Sequence, residues 1–192
     1  MIKHRRTTKE TDIAIELDMT RRAPARLDTG LPFFNHILTA MAFHGGFQLE
    51  IDAKGDIEVD PHHLVEDCGL VLGKALELFR QETGGIARYG EARIPMDDAL
   101  SEAVVDACGR PYLVYHASLP QTHAGNFDLS LLREFWLGLA MAGKMNLHLH
   151  VRYAENAHHA VEALFKAAGR ALAQAYRPIN GTEEDMSTKG KI

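Results

Sequence analysis

A five-residue pattern, His-His-x-x-Glu, occurs twice in this chain. It stands at His62–Glu66 and again 96 residues later at His158–Glu162. The similarity continues downstream, where Gly73–Leu76 matches Gly169–Leu172 at the same spacing. Repeats of this kind arise from supersecondary units that bury their apolar faces against each other. The sequence therefore predicts a fold built from two similar halves.

Alternating apolar and polar residues predict a similar succession of elements in both halves. The first half is predicted to contain a strand at Asp12–Thr20, a helix at Phe33–Phe43 and a strand from Phe47 to Ile51. The second is predicted to contain strands at Leu100–Ala107 and Tyr112–Leu119, a helix at Leu131–Met141 and a strand from Met145 to Leu149. A further helix that opens with His-His-x-x-Glu closes each half. This pattern is typical of an α+β fold with internally duplicated two-layer sheet-and-helix halves.

The two halves are expected to meet within residues 84–93, a segment rich in glycine. Gly84 and Gly85 are predicted to end the first long helix, and Gly90 is predicted to lie in the turn that follows. The halves would then span residues 1–92 and 93–192. Arg177 and Pro178 are predicted to end the last helix before a polar tail.

Composition excludes several classes of protein. The hydrophobic fraction of 46% is sufficient for a sizeable core, but no segment has the roughly 18 consecutive apolar residues of a membrane span. The two cysteines, Cys68 and Cys108, form no paired motif, which argues against a disulfide framework and a cysteine zinc site. The net charge of -5 argues against a general nucleic-acid binder. A cytoplasmic protein is expected.

The repeated motif indicates metal binding. On a helix, His62 and Glu66 are four residues apart and face the same side, whereas the adjacent His63 points about 100° away. Adjacent histidines can therefore serve two different ions, and a second copy of the motif can complete both ligand sets. One copy alone would fit a solvated helix start equally well. Imidazole and carboxylate ligands suit manganese, iron, zinc or nickel.

A second offset of 98 residues aligns the two shorter helices and places His36 opposite Glu134. Both residue types bind metals, so both are candidate ligands. The chain has 11 histidines, and those without such support are expected to be structural: His4, His44, His116, His123, His148 and His150.

Cationic residues give a weaker and more dispersed signal. Arg88, Arg110 and Lys189 lie beside glycine or proline, and Lys166 lies two turns beyond His158 on the same helix. Taken singly, each is expected to be a solvated side chain. A phosphate site would need several of them to converge, because bidentate arginine and point-charge lysine contacts together fix an anion.

Seven segments, in order and across nearly the whole chain, resemble the imidazoleglycerol-phosphate dehydratase family. They are Thr8–Thr11, Phe33–His36, His44–Phe47, His62–Asp67, Gly109–Tyr112, Asn156–Ala167 and Ser187–Gly190. The two His-His-x-x-Glu motifs combined with Ser-Thr-Lys-Gly are the most specific part of the resemblance.

The resemblance implies a hydro-lyase of histidine biosynthesis that dehydrates D-erythro-imidazoleglycerol phosphate to imidazole acetol phosphate. It implies two divalent metal ions per active site, usually manganese. It also implies a ribosomal S5 domain 2-like fold in a homo-oligomer of 24 subunits with active sites at subunit interfaces. The substrate is a small phosphate ester, so neither a nucleic-acid partner nor a membrane is expected.

The resemblance also implies a role for individual residues. One ion is expected to be bound by His36, His63, Glu66 and His159, and the other by His62, His158 and Glu162. Glu10 corresponds to the catalytic carboxylate, with Glu66 and Glu162 as competing candidates for the general base. The positions that match the phosphate site are Arg88, Arg110, Lys166, Ser187 and Lys189.

Two residues depart from the family pattern. Asn35 stands where aspartate is expected, which alters the support of His36. Glu134 stands where many members carry a histidine ligand. Because the internal repeat independently assigns Glu134 to the position equivalent to His36, it is predicted to be a carboxylate ligand.

The residues alone leave two other functions open. Paired metals and nearby cations also suit a binuclear hydrolase, which would release phosphate or an acid. A metal-storage or metal-sensing protein would need the duplicated motif but not the cations at Arg88, Arg110, Lys166 and Lys189.

Overall fold

The computed structural model describes residues 1–180. The helices in this part of the chain are α1 (Pro32–Gly45), α2 (His62–Thr83), α3 (Leu131–Gly143) and α4 (Ala157–Ala175). The strands are β1 (Ile2–Thr7), β2 (Thr11–Asp18), β3 (Arg26–Asp28), β4 (Gln48–Gly55), β5 (Tyr89–Met96), β6 (Ala99–Asp106), β7 (Tyr112–His116), β8 (His123–Ala124), β9 (Phe127–Asp128) and β10 (Asn146–Tyr153). The fold is α+β, as predicted.

The two large sheets have the same strand order and the same strand directions. In the first sheet the order is β1-β2-β4-β3, with antiparallel pairs except for the parallel pair β4 and β3. In the second sheet it is β5-β6-β10-β7, with β10 and β7 as the parallel pair. The strands β8 and β9 form a separate small hairpin.

One face of each sheet is apolar and is covered by helices. In β2, Ile13, Ile15 and Leu17 are buried, and in β10 Leu147 and Leu149 are buried. Helix α2 packs on the first sheet and α4 on the second, whereas α1 contacts α4 and α2 contacts α3. The helices of one half therefore pack against those of the other, and residues on crossing helices are brought together.

Glycines allow the crossing helices to approach closely. A Cβ atom on Gly169 of α4 would collide with the carbonyl oxygen of Met41 on α1. A Cβ atom on Gly73 of α2 would collide in the same way with Leu139 on α3. Gly73 and Gly169 occupy the same position in the two copies of the repeat, so both crossings are built alike.

The segment between the halves differs from the prediction. Gly84 does end α2, with a positive φ of 76°. Gly90, however, lies within β5, where a Cβ atom would collide with the carbonyl oxygen of Ala171, so its assignment to the turn was wrong. Strand β5 also runs through residue 92 and pairs with β6 over its whole length.

Candidate metal centre

Three side chains from different halves of the chain meet where α1 crosses α4. The ligand atoms of His36, His158 and Glu162 all lie within 4.8 Å of one another, and no other group of three or more His, Cys, Asp or Glu side chains within residues 1–180 is so gathered. Glu162 Oε2 is 2.8 Å from His36 Nε2 and 3.2 Å from His158 Nε2. We call these three residues the triad.

Local sequence fixes the start of α4 and hence the position of His158. The side chain of Asn156 accepts hydrogen bonds from the backbone N–H groups of His158 and His159, which caps the helix. His158 and Glu162 then lie one turn apart on the same face. The ring of Phe33 packs against His158, with ring centroids 5.2 Å apart, and holds the imidazole towards α1.

Glu162 is held as an anion. Burial would raise its pKa, but hydrogen bonds from Lys166 and His36, together with their charges, lower it to about 2. Lys166 Nζ donates to Glu162 Oε1 at 2.7 Å. The two imidazoles remain about half exposed, at 48% for His36 and 45% for His158. Two accessible imidazoles and one ionised carboxylate are suitable ligands for a divalent metal ion.

The equivalent residues of the other crossing are not gathered. His62 Nε2 is 3.6 Å from Glu66 Oε2, and both side chains are about two-fifths exposed. Glu134 instead accepts a hydrogen bond from Arg133, with a distance of 3.1 Å between Oε1 and Nη1. The structure thus leaves the predicted role of Glu134 as a ligand untested.

The second histidine of each motif faces a carboxylate that sequence reasoning missed. His159 Nδ1 lies 2.5 Å from Asp98 Oδ1, and His63 Nδ1 lies 3.2 Å from Asp56 Oδ2. Hydrogen bonding to these carboxylates raises the pKa of both histidines. A carboxylate on Nδ1 fixes the ring and leaves Nε2 for a metal. Their positions beside strands could have pointed to them in the sequence, because Asp56 directly follows β4 and Asp98 directly precedes β6.

Glu10 lies in the turn between β1 and β2, which is the position that Asp98 occupies between β5 and β6. Its carboxylate is 3.8 Å from His63 Nδ1 and is 57% exposed. It is therefore beside the start of α2 and free to approach a bound molecule. Asn35, by contrast, does not support His36, because its Oδ1 accepts hydrogen bonds from the backbone and side chain of Thr29.

The predicted phosphate-binding residues are separated within one chain. Arg88 is paired with Asp106, and its backbone N–H donates to Ala175 at the end of α4. Lys166 lies nine residues earlier, roughly 13 Å along the helix axis. Arg110 is beside Asn146, at the start of β10, whereas the triad follows the other end of that strand. Ser187 and Lys189 lie outside the described residues.

A cavity of about 580 Å³ opens beside the triad. Its walls include Phe33, Phe127 and His158, together with Pro61, which directly precedes α2. The cavity therefore connects the starts of the two helices that carry the His-His-x-x-Glu motifs.

Comparison with known proteins identifies the family. Residues 29–172 match the family model described as imidazoleglycerol-phosphate dehydratase. The chain belongs to the imidazoleglycerol-phosphate dehydratase family. The predicted family is thereby confirmed.

Relatives of the same family match over nearly the whole chain. The imidazoleglycerol-phosphate dehydratase of Geobacter metallireducens is 47% identical over 97% of this chain and 96% of its own length. That of Lacticaseibacillus casei is 46% identical with the same coverage.

Solved dehydratase structures share the fold. The structure from Staphylococcus aureus has 36% identity and a TM-score of 0.82, covering 93% of this chain and all of its own. The structure from Pyrococcus furiosus in complex with (S)-C348 has 39% identity and a TM-score of 0.84, covering 98% of this chain and all of its own. Within residues 1–180, no helix is long and apolar enough to cross a membrane.

Proposed function

We propose that this chain catalyses the dehydration of imidazoleglycerol phosphate to imidazole acetol phosphate, a hydro-lyase step of histidine biosynthesis. The observation that carries the proposal is the triad of His36, His158 and Glu162 in a chain of the dehydratase family. Members of this family are metal-dependent, and the triad offers nitrogen and oxygen ligands of the right kind. Family membership favours dehydration over the hydrolase and storage alternatives.

The complete site is proposed to hold two divalent ions, manganese in particular. The triad would hold one ion. His36, which was expected with His63, Glu66 and His159, thereby joins His158 and Glu162, and His62 takes its place at the other ion. His63 and His159, each with Nδ1 against a carboxylate, are suited to present Nε2 to the other ion, with His62, Glu66 and Glu134 as further ligands. When bound, such ions supply Lewis acidity and a template for the substrate's imidazole.

The chain's own groups would bind, orient and move protons. Lys166 keeps Glu162 ionised by binding its Oε1, and Oε2 faces His36 and His158. Glu10, exposed beside His63, is the proposed general base that removes the carbon-bound proton, with Glu66 as its competitor. The proposed phosphate-binding residues Arg88, Arg110, Ser187 and Lys189 would bind the substrate's phosphate group, which is remote from the reacting carbons. The binding energy gained there would position those carbons for reaction.

The two halves are proposed to be duplicates that assemble further into a homo-oligomer of 24 subunits in the cytoplasm. Support for duplication comes from the identical strand orders and the equivalent glycine crossings. The proposed first half is best ended before Tyr89, because β5 belongs with the second sheet. Support for interface active sites comes from Arg88 and Arg110, which lie far from the triad of their own chain.

Mixing two inactive variants tests the interface active site. Arg110→Ala protein and His159→Ala protein are dissociated, mixed and reassembled, and turnover is compared with each variant reassembled alone. Recovery of activity only in the mixture is expected, because some sites then receive an intact arginine from one chain and an intact histidine from another. No recovery in mixed assemblies of native mass would contradict shared sites.

Metal-restored turnover tests the reaction itself. Metal-stripped protein is given imidazoleglycerol phosphate with and without manganese, and ketone and inorganic phosphate are both measured. The expected result is ketone formation that depends on manganese, without phosphate release. Phosphate release would favour the hydrolase, and persistent inactivity of assembled, metal-loaded protein would favour storage.

A further inference from the structure

Three histidines lie on the face of the second sheet that points away from the helices. His148 and His150 are on β10, where side chains alternate, and their neighbours Leu147 and Leu149 are buried on the helix side. His116 on β7 is the direct parallel partner of His150. The sheet itself therefore separates these three imidazoles from the triad.

The imidazoles of His116 and His150 are neighbours. Their ring centroids are 4.9 Å apart and the ring planes are nearly perpendicular, at 88°. His148 precedes His150 by two residues on the same strand face, a spacing that allows two side chains to reach one ion. All three side chains are partly or largely exposed, so their rings can rotate to converge.

The surroundings of the three histidines leave imidazole nitrogen atoms as the available ligands. The charged groups facing this position are Glu102, opposite His150 on β6, and the two arginines that bind it, Arg93 and Arg152. Because Glu102 is already paired with both, the available donors are nitrogen atoms.

We propose that His116, His148 and His150 form a second metal site, on the outer face of the second sheet, that takes copper(II), nickel(II) or zinc(II). A site of imidazoles alone binds these ions in preference to manganese, which favours oxygen ligands. The three histidines do not have ligand atoms within 4.8 Å of one another, as the triad does, so binding here is weaker than at the triad. The site is open to water and exchanges its ion readily.

Copper binding to the manganese-loaded, untagged protein tests the proposal. The native chain is compared with the double variant His116→Ala/His150→Ala and with His123→Ala, which removes an exposed histidine on β8. Copper bound per chain is measured by equilibrium dialysis, and its nitrogen ligands are counted by electron paramagnetic resonance. The double variant is expected to bind one copper ion fewer per chain and to lose a signal from two or three nitrogens, whereas His123→Ala matches the native chain.

Equal copper content and equal nitrogen signals in native and double-variant protein would overturn the proposal. The single variant His150→Ala provides a second check, because it alone should weaken copper binding at least tenfold if two or three imidazoles share the ion. The readout is bound copper and not turnover. Failure of this inference is therefore distinguishable from failure of the dehydratase assignment.

Discussion

The two helix crossings place equivalent residues in different environments. At the crossing of α1 and α4, His36, His158 and Glu162 are in contact, and Lys166 balances the carboxylate. At the crossing of α2 and α3, the residue equivalent to Lys166 is Leu70, and the residue equivalent to His36 is Glu134.

Charge accounts for the difference between the crossings. In the triad, the carboxylate of Glu162 is paired with the ammonium group of Lys166 and contacts both imidazoles, so the side chains can close without a metal. At the other crossing Leu70 stands in place of Lys166, and the carboxylate of Glu134 pairs with Arg133 instead of a histidine of the repeated motif. The comparison shows that one proposed ligand set is gathered within its own chain, whereas the side chains of the other set lie apart within residues 1–180.

The largest effect is expected from removing the charge that organises the triad. Glu162→Gln should lower turnover by about a thousandfold, since metal Lewis acidity contributes several kcal/mol to the transition state. It should also reduce the metal bound per chain. Glu66→Gln is the matched variant at the other crossing and should leave the ion at the triad in place. Elemental analysis with steady-state kinetics measures both, and full metal retention in Glu162→Gln would contradict the comparison.

The carboxylate of Asp98 should increase the affinity of the site for metal. Asp98→Asn is expected to weaken metal binding about 10- to 100-fold, because His159 loses the carboxylate that orients its ring. Asp97→Asn is the control, since Asp97 is exposed and 3.7 Å from the same histidine. Competition with a fluorescent chelator gives both affinities. Equal losses in the two variants would show that Asp98 has no special role.

The glycine crossings should reverse the usual effect of alanine on a helix. Glycine to alanine normally stabilises a helix interior by up to about 1 kcal/mol. Gly169→Ala should instead lower the free energy of unfolding by about 2 kcal/mol, because the added methyl collides with the backbone of Met41. Gly73→Ala should behave alike, and Arg170→Ala, on an exposed position of the same helix, should have little effect. Denaturant unfolding of the three variants tests this.

Glu134→His would make the second crossing resemble the first in composition. Removing one of two negative charges and adding an imidazole should shift metal preference from manganese towards zinc by about tenfold. The ratio of the two dissociation constants, measured in native and variant protein, checks this. An unchanged ratio would mean that Glu134 is not a ligand.

The smallest effect concerns acid stability. Glu162 has a pKa of about 2, below its ordinary value of 4.5, so its ion pair contributes fully above pH 4.5 and is lost as the pH falls towards 2. Lys166→Met should therefore be less stable than the native protein at pH 6, with a difference that shrinks as the pH falls. Lys9→Met, in the exposed turn between β1 and β2, should show no such trend. Thermal melts across this pH range would reveal it.

Much of the fold was predictable because the repeat fixes which elements correspond. The offset of 98 residues aligned the helices of His36 and Glu134 and made both candidate ligands. In the structure His36 contacts Glu162, whereas Glu134 pairs with Arg133. The edge strands β1 and β5 were not predicted. Strand β1 carries four consecutive basic residues, Lys3–Arg6, with only Ile2 buried, and β5 contains Pro95, so neither has a clear apolar alternation.

The parts of the site that were missed depend on tertiary contacts. Asp56 and Asp98 are ordinary turn residues in the sequence, and only the packing of the turns against the helix starts brings them to His63 and His159. The separation of Arg88 from Lys166 was also hidden, because sequence motifs give residue types and spacing but not the end of the sheet at which each lies.

The glycine pairs at the crossings limit how the two halves can diverge in evolution. Under the proposed duplication, positions with room for a side chain are free to change, and Lys166 and Leu70 have done so. Gly73 and Gly169 face the backbone of another helix, where any side chain separates the halves. Mutation can therefore specialise the two ligand sets, but a change at either glycine affects the shared architecture on which both sets depend.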